Sequence, residues 1–102
     1  MIHVIATIEL QPNTREHYLK ILKENVPSVR AEAGCLKYEP AVDLDSGLPF
    51  QEAIRADVVT IVEAWENLEH LVAHLKTPHM QSYRDAVTAY VRKVSVQVMA
   101  PV

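Results

Sequence analysis

The sequence predicts an α+β protomer, one antiparallel sheet with helices on one of its faces, and three observations predict it. Strand signals occupy residues 2–10, 35–44, 58–65 and 93–100, rich in β-branched residues and bounded by turn-formers. Helical spacing occupies residues 14–33 and a pair of segments after Asn67 and Thr77. The length, 102 residues, holds a single domain with one modest core, spanning 1–102. The order is strand, helix, strand, strand, helix pair, strand. That is the βαββαβ order of the ferredoxin-like arrangement.

In residues 2–10, Ile2, Val4, Ala6, Ile8 and Leu10 line one face, with His3, Ile5, Thr7 and Glu9 on the other. Pro12-Asn13-Thr14 stops the strand and offers helix-starting chemistry. Tyr18, Leu22, Val26, Val29 and Ala33 then fall on one helical stripe. Pro27 predicts a kink or a break near Asn25–Val26, and Gly34 sits where a left-handed C-terminal cap belongs. The second strand, CLKYEPAVDL, carries Pro40, which confines it to a sheet edge or a bulge. The connection 45–57 is long for a hairpin, and such loops tend to carry function.

The third strand is VVTIVEAW. Asn67 caps a helix whose Leu68, Leu71, Val72 and Leu75 make an apolar stripe. Thr77 caps the next, with Pro78 at the first position, where a missing N–H does no harm. Met80, Tyr83, Val87, Tyr90 and Val91 supply that helix's apolar face, and Val94, Val96 and Val98 alternate along the last strand. Helices on one side leave the other sheet face open, and the valines and isoleucines of strands one, three and four are too apolar for water. The expectation is a homodimer made by sheet-to-sheet packing, two-fold symmetric.

Composition narrows the function. Net charge is −3 and the basic residues are scattered, which argues against nucleic acid or an anionic membrane surface as partner. No apolar run approaches the roughly twenty residues of a membrane span, and the N-terminus carries no leader pattern. Cys35 is the sole cysteine, fits a reducing compartment and reads as structural, so a cytoplasmic location is expected. With glycines only at 34 and 47 there is no phosphate loop or dinucleotide fingerprint, so any oxidative chemistry has to run without a classical dinucleotide fold.

Residues 63–83, EAWENLEHLVAHLKTPHMQSY, concentrate the polar and aromatic chemistry. His70 and His74 are one helical turn apart, and His79 opens the next helix. No HExxH spacing or completing Cys or carboxylate supports a metal site, so none is assigned. Hydrogen-bonding or proton-transfer histidines in a cavity, with at least one at the surface, fit better. Trp65, Met80, Tyr83 and Phe50 read equally as core or as ligand contacts, and Tyr38 joins them if its hydroxyl points inward. Glu63 shares Trp65's strand face and reads as a buried partner for a His or Arg, less readily as a base.

The EAGC at 32–35, YEPAVD at 38–43, GLPFQ at 47–51 and the whole 63–83 stretch resemble the antibiotic biosynthesis monooxygenase superfamily, and within it the bacterial quinol monooxygenases. The resemblance covers essentially the whole chain. It implies a dimeric α/β barrel of ferredoxin-like protomers and an oxygenase without metal, flavin or haem. An electron-rich quinol or phenol, once deprotonated, would pass an electron to O₂ itself. The residues it marks as pocket are Trp65, His74, His79, Met80 and Tyr83, with His74 and His79 as catalytic candidates and His74 first. Tyr38 and Phe50 are wall candidates, with His70 beside them. The haem-degrading branch has an Asn on the first strand and a Trp–His pair on the helices. Here that strand has no Asn, and His74 and Tyr83 stand where the pair belongs. An isomerase of small phosphorylated metabolites shares the TPH step and would need a cation such as Arg30, Arg55 or Arg84. A non-catalytic quinone-binding dimer is the third reading.

Overall fold

The computed structural model describes residues 1–102 as β1 (Ile2–Leu10), α1 (Arg15–Arg30), β2 (Cys35–Ala41), β3 (Val58–Trp65), α2 (Leu68–Leu75), α3 (Pro78–Val87) and β4 (Val91–Met99). The four strands form one sheet in the order β2-β3-β1-β4, each neighbouring pair antiparallel. This is the ferredoxin-like α+β protomer. β2 lies at an edge, so Pro40 removes no bond that an inner strand would need.

Strand alternation sorts the two faces. Val4, Ala6, Ile8 and Leu10 of β1 and Val59, Ile61 and Trp65 of β3 are buried, and α1 lays Tyr18, Leu22, Val26 and Val29 over this face. Burying each such side chain contributes about 1.5–3 kcal/mol. That anchoring explains why Pro27 does not break α1, which runs unbroken from Arg15 to Arg30. The proline deletes one backbone hydrogen bond, but Val26 and Val29 on either side of it are held in the core.

Gly34 is left-handed, with φ of 80°, but it belongs to the turn into β2 rather than to the helix cap, since α1 ends at Arg30. A second constraint also fixes it: a Cβ there would lie 2.3 Å from Cγ of His70. The helix caps at Asn67 and Thr77 form as expected, accepting from the backbone N–H of His70 and Met80. α3 ends at Val87, so Tyr90 lies in the turn and Val91 opens β4 instead of extending the helix face. On α2 the buried residues are Leu71 and His74; Leu68, Val72 and Leu75 of the expected stripe are exposed.

β4 holds a second correction. In register, Val94, Val96 and Val98 stand opposite Ile8, Ala6 and Val4, so they share the helix-facing side of the sheet. The open face of β4 carries Lys93, Ser95, Gln97 and Met99, and the apolar part of that face comes from Ile5, Val58, Val62 and Ala64. No helix is long and apolar enough to cross a membrane.

Candidate active site

The β4 valines remain 44–55 % exposed because α2 and α3 do not cover that edge of the sheet. Between them opens a cavity of about 440 Å³. Its floor is Val4, Ala6, Ile8, Ile61, Val94, Val96 and Val98, and its roof is Leu71 and Leu75 of α2 with Met80, Tyr83 and Arg84 of α3. Three side chains give one end of this apolar space a polar character: Tyr38, Glu63 and His74.

His74 is 2 % exposed. Its ring lies on Trp65, centroids 4.7 Å apart, and meets Tyr38 edge-on at 5.6 Å. Nδ1 is 2.9 and 3.1 Å from the two carboxylate oxygens of Glu32. A carboxylate only accepts, so Nδ1 carries the proton and Nε2 of the neutral ring is the basic atom. Nε2 makes no hydrogen bond within the chain, and the residue lines the cavity. Burial holds the imidazole's pKa below its usual value, against the opposing pull of Glu32, so the ring is neutral near pH 7.

Glu32 also takes a hydrogen bond from Nε2 of His79 at 2.8 Å, and thereby ties α2 and α3 to the turn after α1. No group of three or more His, Cys, Asp or Glu is arranged to hold a metal ion.

Glu63 is 6 % exposed and accepts from Nε1 of Trp65 at 2.9 Å. Burial pushes its pKa up to about 7, with the Trp65 hydrogen bond acting against the rise and the charge of Glu32 adding to it. Tyr38 stands directly across the strand pair, and its hydroxyl has no partner within the chain. Burial, then the nearby Glu63, pushes that phenol well above its usual pKa, so it remains a donor. Tyr83 instead spends its hydroxyl on Tyr18.

The expected site residues therefore divide. Trp65, His74, Met80, Tyr83 and Tyr38 come together at or against the cavity. His79 stands one step behind, joined to His74 only through Glu32, and faces a groove with Ile21 and Asn25. His70 lies outside the lining, 3.6 Å from Glu66 and packed over Gly34. Phe50 is 80 % exposed on the loop between β2 and β3, at the opposite end of those strands from Trp65. That loop is closed on itself by the paired Asp43 and Arg55. Glu63 has Trp65 as its partner rather than a His or Arg. Glu32, the anchor of both histidines, went unnoticed because it is 42 residues from His74, and no local spacing betrays such a pair. Cys35 is half-buried and its thiol is pushed up, by burial first and Glu32 next, in keeping with a structural role.

Residues 1–86 match the family described as antibiotic biosynthesis monooxygenase. The chain is 38 % identical over 103 residues to the probable quinol monooxygenase YgiN of Escherichia coli K12, covering 99 % of this chain and 98 % of that protein. Among solved structures it is similar to PA3566 from Pseudomonas aeruginosa, with a TM-score of 0.82 at 25 % identity over 99 % of this chain and 93 % of that one. Rv0793 from Mycobacterium tuberculosis superposes with a TM-score of 0.81 at 26 % identity, over 99 % and 94 % of the two chains.

Proposed function

Because the chain belongs to the antibiotic biosynthesis monooxygenase family, we propose that it oxidises a quinol or similar phenolic with O₂, without flavin, haem or metal, using His74 as the base. One observation carries the reading. A neutral imidazole, anchored by a carboxylate on Nδ1 and with its Nε2 unengaged, lines the polar end of an apolar cavity. The kinship with a probable quinol monooxygenase supplies the substrate class.

The chemistry proceeds from the proton. A quinol hydroxyl gives its proton to Nε2, and the Glu32 carboxylate stabilises the imidazolium that forms. The quinolate passes one electron to O₂, giving a semiquinone and superoxide. Their combination forms a ring C–O bond, and cleavage of the O–O bond releases water. The net change is quinol plus O₂ to hydroxylated quinone plus water. The apolar lining offers water few polar partners beside the radical pair. A volume of about 440 Å³ falls within the roughly 300–1,000 Å³ of small-molecule sites.

The guanidinium groups argue against an anionic, phosphorylated substrate. Arg30 donates to the carbonyl of Tyr38, Arg55 is paired with Asp43, and Arg84 donates to the carbonyl of Leu75. An uncharged aromatic fits the lining better. The half-buried Ile5, Val58 and Val62 on the open sheet face support pairing with a second copy through that face. Sedimentation at micromolar concentration is expected to give twice the monomer mass.

The test is oxygen uptake by metal-stripped protein with a reduced naphthoquinol, corrected for the uncatalysed rate, using isotopically labelled O₂. Uptake proportional to enzyme, with one labelled atom in the product, is the expected result. A background rate with the quinol still bound would make this a binding protein, and oxygen-independent turnover would make it an isomerase.

A further inference from the structure

Glu63 is left over from that scheme. It is 94 % buried, since only 6 % of its surface is exposed, and it lines the cavity. One oxygen accepts from Trp65; the other has no partner within the chain. A buried carboxylate normally meets a cation, yet none reaches this one. The groups facing it are Tyr38 and Cys35 of β2, Glu32 from the turn after α1, His74 of α2, and Tyr83 and Arg84 of α3; its β1 neighbour is Val4. Arg84 is turned to the carbonyl of Leu75, and His74 is neutral and committed to Glu32. An ionised Glu63 would therefore repel any anion formed at the same polar end.

We propose that Glu63 works as a neutral carboxylic acid, donating a hydrogen bond from its unengaged oxygen to the substrate oxygen that becomes an anion when His74 takes the proton. This rests on the phenolic-substrate reading above. Trp65 fixes the carboxyl by occupying the other oxygen, and the Tyr38 hydroxyl directly across the strands supplies a second donor. Donors placed for a developing oxyanion in a dry site are worth roughly 10²–10³ in rate. The position of the Glu63 ionisation, near 7, agrees with this role and sets the pH at which it fails. His74 must be unprotonated and Glu63 protonated, so the active window closes on the alkaline side as Glu63 ionises.

The experiment reads ligand binding, so it does not depend on turnover. The probe is 2-hydroxy-1,4-naphthoquinone, an anion through the whole range, titrated against the fluorescence of Trp65, the sole tryptophan, from about pH 6 to about pH 9. Its affinity for the wild type is expected to fall ~10-fold per pH unit above about 7, and for Glu63→Gln to stay level, because the amide donates at every pH and its oxygen still accepts from Trp65. Equal slopes in the two proteins would overturn the proposal. Were Glu63→Gln to misfold, a level wild-type affinity across the range would overturn it alone. Binding that follows the predicted slope without any quinol turnover would count against the proposed reaction and not against Glu63's part in holding the anion.

Discussion

Two carboxyl groups, Glu63 in the lining of the cavity and Glu32 outside it but bonded to His74, are handled in different ways. Glu32 meets two imidazoles, Nδ1 of His74 and Nε2 of His79. Glu63 has one hydrogen-bond donor, a neutral indole N–H, and its burial raises its pKa to about 7. The two acids differ in depth as well as in donors: Glu63 is buried, and Glu32 is only partly so. Glu32 orients the His74 imidazole, and Glu63 is suited to give a proton in a hydrogen bond. Substitutions at and around the two test that contrast.

The largest effect is expected from His74→Ala. Loss of the base should lower kcat by about 10²–10⁴-fold while the protein stays folded, as read by oxygen uptake alongside circular dichroism. A collapse of the fold instead would make His74 a structural residue. Trp65→Ala removes the surface that carries both His74 and Glu63, and should cost about 3–5 kcal/mol in urea unfolding, with turnover lost as well.

Next comes a gain. Lifting a carboxyl from 4.5 to about 7 on folding means that the folded state holds its proton more tightly than the unfolded chain. Stability is then undiminished below about pH 4.5 and declines as pH rises through 7. Glu63→Gln should therefore be more stable than wild type above pH 7, by on the order of 3 kcal/mol, and equal to it near pH 4, measured by urea midpoints at the two pH values.

The smallest effect is expected from Glu32→Gln. Turnover should fall about 10-fold, since the tautomer is held less firmly. Glu32 raises the pKa of His74, so its removal should move the acid limb of kcat/KM to lower pH. A limb that stays in place would sever Glu32 from the proton transfer.

Much of this arrangement was legible in the chain, for reasons that stop at local order. The strands and caps were readable because alternation in VVTIVEAW and the Asn67 and Thr77 side chains act within a few residues. Trp65, His74, Met80 and Tyr83 were readable as one region because they lie within one turn-linked stretch. Pro27 misled because local hydrogen-bond loss was outweighed by Val26 and Val29 in the core. The side on which the β4 valines fall depends on register with β1, a pairing across most of the chain. Phe50 looked like a wall residue because a long loop carries it, and the Asp43–Arg55 pair that closes the loop is twelve residues across. Glu32 was hidden by the same distance problem, at 42 residues from the ring it anchors.

The most direct test of the account is kcat/KM for naphthoquinol-dependent oxygen uptake as a function of pH, wild type against His74→Ala. The account predicts that wild-type activity falls away on the acid side, below the ordinary histidine range, as Nε2 of His74 takes up a proton. It also predicts that the variant turns over about 10²–10⁴-fold more slowly and has lost the acid limb. A variant that turns over at wild-type rates, with the acid limb unchanged, would contradict the assignment of His74 as the base.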